Sequence, residues 1–179
     1  MQTVKMHHRW IIPLLLFLGF FLDGSLSLIF GQYFYGDSNQ MAPQLFLLAI
    51  VMVTFADLED SPLLFWYALV AGVAYDLFYT GLIGQYMLLA PLTYLLSRYL
   101  LQYFLKRPIY VLSAFVISIV ASQVILYGLA LFFKMGSLSL GLFLINVLAP
   151  TIILNVGLFL IFYWPGQYLL HFLVRDFRR

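Results

Sequence analysis

Eight of the nine Lys and Arg residues in this chain fall in three groups, at the N-terminus, around 98–107 and at the C-terminus. Between the groups run apolar stretches of membrane-crossing length. This alternation leaves few folds open, because cytoplasmic loops of polytopic membrane proteins keep Lys and Arg while exported loops are depleted of them. A chain of 179 residues that is 64% hydrophobic and 9% charged falls far below the roughly 25% of charged residues in a soluble domain. The sequence therefore predicts an all-α, polytopic integral membrane protein, one domain over residues 1–179. Its grouped cations mark one face of the bilayer rather than a nucleic-acid site.

Six spans fit, at about 10–30, 41–56, 62–80, 85–105, 109–133 and 140–164. The run after the N-terminus is too long for a signal peptide and lacks an Ala-x-Ala site, so an uncleaved first helix is expected. Turns are placed at Gly36-Asp37-Ser38-Asn39, at the acidic loop Asp57, Glu59 and Asp60, at Gly81 and Gly84, at Lys106-Arg107-Pro108 and over 134–139. Pro62 suits the first turn of the third span. The second span is short for a hydrocarbon core of about 30 Å. With both termini cytoplasmic, Lys5, Arg9, Arg98, Lys106, Arg107, Arg175, Arg178 and Arg179 all lie inside and Lys134 alone lies outside. The tail after Pro165-Gly166 reads as a short helix on the interface. No internal repeat is strong enough to indicate a pseudo-symmetric transporter.

Ionisable groups in hydrocarbon need a partner or a purpose. Asp23 in the first span and Asp76 in the third meet that description, and the orientation puts both in the outer half of the bilayer. Gln123 and Asn146 fall at similar depth on the fifth and sixth spans. If these faces converge, the bundle has a polar core opening outward. Such a core is either a ligand, ion or proton site, or a set of interhelical hydrogen bonds worth about 0.6–2 kcal/mol each; the sparse lining favours the second. With no Lys or Arg at that depth, the carboxyl groups are protonated, hydrated, or capping backbone groups near Gly24 and Gly81. Pro150 predicts a kink in the sixth span, with Asn155 available to satisfy the freed carbonyl. Ala68, Ala71, Gly72 and Ala74 form a slim stripe suited to close helix packing.

Enzyme signatures are missing. The chain has no cysteine and three histidines, and it carries no Gly-x-Ser-x-Gly, His-Glu-x-x-His or P-loop. The acidic loop reads as solvated rather than as a metal cluster. Catalytic residues, metal and cofactor are all expected to be absent.

The segment Gly72-Val73-Ala74-Tyr75-Asp76-Leu77-Phe78-Tyr79-Thr80-Gly81-Leu82-Ile83-Gly84 resembles the signature region of the MreD family of rod shape-determining membrane proteins, a Gly-x-x-x-Asp helix followed by a Gly-containing turn. Overall size, the early Asp23 and the short basic C-terminus are similar as well. The resemblance implies a multi-pass protein of the bacterial cell membrane that serves as a scaffold in cell-wall elongation. Its implied partners are MreC and, through it, a SEDS glycosyltransferase, a class B penicillin-binding transpeptidase and MreB. Family importance carries over to Gly72, Tyr75, Asp76, Gly81 and Gly84. The resemblance also implies a fold similar to the six-helix substrate-binding components of energy-coupling-factor vitamin transporters. That gives an alternative function, binding a small vitamin in the outer half of the bundle. Against it, the first span lacks the Ala-x-x-x-Ala patch by which those components dock. On the scaffold reading, Asn in place of Asp76 should leave partner binding intact, because a neutral amide retains most hydrogen bonds.

Overall fold

The computed structural model describes residues 3–36, 40–56, 63–134 and 139–176, with side chains from Ile12 to Leu170. The expected turn at 37–39, the acidic loop with Pro62, and most of the turn at 134–139 lie outside the described residues. Apart from one bridge between Tyr35 and Gln40, the described secondary structure is helical.

The chain builds α1 (Thr3–Ile29), the single turn α2 (Gly31–Phe34), α3 (Leu45–Ala56), α4 (Leu63–Tyr75), α5 (Gln85–Leu101), α6 (Pro108–Phe132), α7 (Leu140–Phe143) and α8 (Ala149–Asp176). A π-helical turn, Asp76–Thr80, extends α4, and a second, Leu144–Leu148, joins α7 to α8. Among the described residues, four stretches are long and apolar enough to cross a membrane: Ile12–Ile29, Leu63–Thr80, Pro108–Phe132 and Leu140–Leu170. α3 and α5 are shorter, at 12 and 17 residues. The described residues form an all-helical bundle whose long apolar helices are compatible with a membrane.

α3 is the central post. It is apolar on every side, which marks a helix buried all round rather than on one stripe, and ten of its twelve residues are buried. α1, α5, α6 and α8 pack around it, while α4 packs on α5 and α1. Its helical part spans only about 18 Å at the usual rise, so it begins inside the bundle. The sequence starts this span at Met41, four residues earlier than the structure does. Pro43 supplies the reason, since a residue preceding proline is pushed out of the helical region. Residues 40–44 run non-helical and bond elsewhere: the Gln40 N–H donates to Asn146 O at 2.8 Å and the Met41 N–H to Phe34 O at 2.8 Å.

The end of the chain departs from expectation as well. α8 runs unbroken through Pro165 and Gly166 instead of stopping there. A proline forfeits one helical bond, but in apolar surroundings little water competes for the rest, and membrane helices carry proline for that reason. Leu170, beyond the proline, is buried against the core and holds the last turns in line.

Candidate functional site

Two helices begin inside this bundle, and each has exposed-end N–H groups that hydrocarbon cannot satisfy. α5 starts after a turn whose Gly81 has φ +68° and Gly84 φ +119°. The cap residue Gly84 brings no side chain to bond the first turn. Asp76 does so from the preceding helix. Its Oδ2 accepts the N–H of Gly84 at 2.8 Å and of Met87 at 3.1 Å, and its Oδ1 accepts that of Tyr86 at 2.9 Å. The Thr80 hydroxyl donates to Oδ1 at 3.2 Å. The carboxylate also faces the positive end of the α5 dipole. The carbonyl of Asp76 receives the Gly81 N–H at 2.9 Å, the bond that closes the π turn and swings the chain back toward α4.

Gly72, one turn before Asp76, sets the distance. A Cβ there would lie 2.3 Å from the Tyr86 carbonyl oxygen and 2.8 Å from its carbon, so the α5 backbone rests directly on the glycine. The Gly-x-x-x-Asp spacing thus has a mechanical meaning. The glycine admits the next helix, and the aspartate one turn later receives its N–H groups.

The same device operates on α3. Asp23 in α1 accepts the Leu45 N–H at 2.6 Å through Oδ1 and the Phe46 N–H at 3.0 Å through Oδ2. Gly19, again one turn before the aspartate, lets α3 approach: a Cβ there would lie 2.9 Å from Leu45 O and 3.0 Å from Phe46 Cα. A third donor, the Gln44 N–H, goes to Asn155 Oδ1 on α8 at 2.8 Å. The Asn155 amide nitrogen donates to Ala42 O at 2.8 Å and to Thr151 O at 2.8 Å. Asp23, Asp76 and Asn155 are each at most 1% exposed.

Tyr75 ties the two caps together. Its ring packs on that of Phe46, whose N–H goes to Asp23, with centroids 5.4 Å apart. The Tyr75 and Tyr86 rings stack with centroids 3.9 Å apart. Tyr86 in turn gives its N–H to Asp76. Gln123 is buried on α6 beside Ser122, whose hydroxyl donates to Ile119 O at 2.8 Å and reaches Gln44 Oε1 at 3.4 Å. Asn146 enters through its backbone. Pro150 has no N–H for the carbonyl four residues earlier, and that carbonyl, Asn146 O, accepts from Gln40 instead. Pro150 itself is the second residue of α8, directly after a π segment.

Both carboxylates are therefore occupied by N–H donors at fixed positions, an arrangement that holds backbone rather than moves protons. Sequence reasoning singled out both aspartates but not Gly19, Gln44 or Tyr86. A signal for Gly19 was present: it stands four residues before Asp23, as Gly72 stands before Asp76. Gln44 and Tyr86 carry no local mark, because their partners come from other helices.

The turn yields its own prediction. A Cβ at either Gly81 or Gly84 meets open space, so strain there is purely a matter of φ. Gly84→Ala should lose about 1–3 kcal/mol of stability. Gly81→Asn should lose less, since Asn enters the left-handed region readily. Unfolding in mixed detergent micelles measures both, and equal losses would contradict the ranking.

A family model described as rod shape-determining protein MreD matches residues 4–173. No curated protein and no solved structure matches the chain.

Proposed function

The chain belongs to the MreD family, whose role is rod shape determination, and we propose that it acts as a multi-pass scaffold of cell-wall elongation in the bacterial cell membrane. In this reading it crosses the membrane six times with both termini inside and packs laterally against the transmembrane helix of MreC. Through MreC it helps position the SEDS glycosyltransferase, the class B penicillin-binding transpeptidase and MreB. The observation that carries the reading is the state of the buried polar groups: Asp23, Asp76 and Asn155 all hold the starts of neighbouring helices. Fixing helix starts makes a rigid body, and a scaffold works by presenting fixed helix surfaces.

α8 offers such a surface. It belongs to the least buried of the four long apolar stretches. Ile153, Leu160 and Trp164 are exposed along it, 73%, 64% and 69% respectively, at spacings that repeat along one helix face. A photo-reactive residue at Ile153 or Leu160 is expected to cross-link MreC in intact membranes, while one at Leu88 on α5 is not. Cross-links to MreC from Leu88 alone would move the interface. Failure to recover MreC with the tagged chain from any membrane preparation would reject the partner.

A further inference from the structure

We propose that the groove between α1, α3 and α8 holds one acyl chain of an anionic phospholipid, whose phosphate lies at the basic end of α1 and α8. The groove is half open and has a volume of about 230 Å³. Leu15, Leu18 and Leu22 of α1 form one wall, Phe162 and Leu169 of α8 the other, and Met52 of α3 belongs to its floor. Its lining side chains are apolar, so water, which needs two to four polar partners, is a poor occupant. A helix about 10–12 Å across can lie over a groove of this size but not fill it. A flexible hydrocarbon chain can.

Depth and charge select the lipid. On α1 the groove runs from Leu15 to Leu22, about 9 to 20 Å along the axis from Arg9. On the antiparallel α8 it runs from Leu170 back to Phe162, about 7 to 20 Å from Arg175. Both walls therefore cover the depth of one leaflet of a core about 30 Å thick. Both lead to the same basic end, with Lys5 and Arg9 in the first turns of α1 and Arg175 in the last turn of α8. Asp176 follows Arg175 in the sequence, so three cations face one carboxylate in count at these two helix ends. Basic residues at the ends of membrane helices recognise anionic headgroups, each contributing about 1 kcal/mol. The proposal uses neither the caps nor MreC, and it stands apart from the scaffold reading.

Native mass spectrometry of the full-length protein, titrated with phosphatidylglycerol or phosphatidylethanolamine, tests it. The unaltered chain should bind phosphatidylglycerol about tenfold more tightly, a difference of about 1.4 kcal/mol. Leu18 is 43% exposed, so Leu18→Trp should fold yet fill the groove and lose both lipids; Leu169→Trp, from the opposite wall, serves if it does not fold. Arg175→Gln and Arg9→Gln should each reduce the preference for phosphatidylglycerol about fivefold and leave phosphatidylethanolamine binding unchanged. Undiminished lipid retention in a folded groove-filling variant overturns the proposal. So does a preference that ignores both arginines, or a bound mass that proves to be a peptide.

Discussion

Asp76→Ala is expected to destabilise this bundle by on the order of 3–5 kcal/mol, because it strands one buried and two half-buried donors at once. The carboxylate accepts the N–H groups of Gly84, Tyr86 and Met87, and no side chain of the cap residue replaces it. Each unsatisfied buried group carries a penalty of about 1–3 kcal/mol, and hydrocarbon supplies no water to relieve it. Asp76→Asn separates charge from geometry. The sequence suggested that an amide would retain most of the hydrogen bonds, and the structure overturns that expectation. Both oxygens are acceptors here: Oδ1 serves Tyr86 and Thr80, and Oδ2 serves Gly84 and Met87. An amide keeps one acceptor and turns the other position into a donor that faces donors. Asn should therefore lose about half as much stability as Ala, measured by unfolding in mixed micelles. An Asn variant as stable as the parent would show that one oxygen suffices. In cells depending on this protein for shape, rounding should follow the same order, Ala before Asn.

What could be read in the sequence was whatever depends on local pattern. Apolar runs placed the long helices, and the isolated carboxylates marked where something buried must be satisfied. The reading failed where a helix start takes its partners from afar. Gln44 heads α3 and Gly84 heads α5, neither of which supplies a local side-chain cap of the Ser, Thr or Asp kind. The acceptors instead lie 22 residues upstream at Asp23 and 111 residues downstream at Asn155 for α3. Asn155 was assigned to a carbonyl freed by Pro150, yet the carbonyl of Asn146, lacking that donor, takes Gln40. The continuity of α8 through Pro165 escaped for a related reason. Proline is a strong breaker where water competes for the freed groups, and a weak one in hydrocarbon.

Gly72→Ala is expected to be nearly as damaging as loss of the carboxylate, although it adds only one methyl group. At 2.3 Å from Tyr86 O, 2.8 Å from Tyr86 C and 3.1 Å from Met87 Cα, the added carbon meets only backbone. No rotamer change can clear it, so the first turn of α5 has to move away from α4. That movement withdraws the N–H groups of Tyr86 and Met87 from Asp76. Overpacking by a methyl group alone is worth about 1–3 kcal/mol, and the lost cap raises the total to on the order of 2–4 kcal/mol. Because both substitutions break the same bonds, the double variant with Asp76→Ala should fall well short of the sum of the two losses. Gly19→Ala provides the graded comparison, since its Cβ would lie 2.9 Å from Leu45 O and 3.0 Å from Phe46 Cα. A few tenths of an ångström of adjustment relieves that contact, and its loss should be the smaller of the two. A Gly72→Ala loss that adds fully to the Asp76→Ala loss would mean that the glycine acts on packing alone, without the cap.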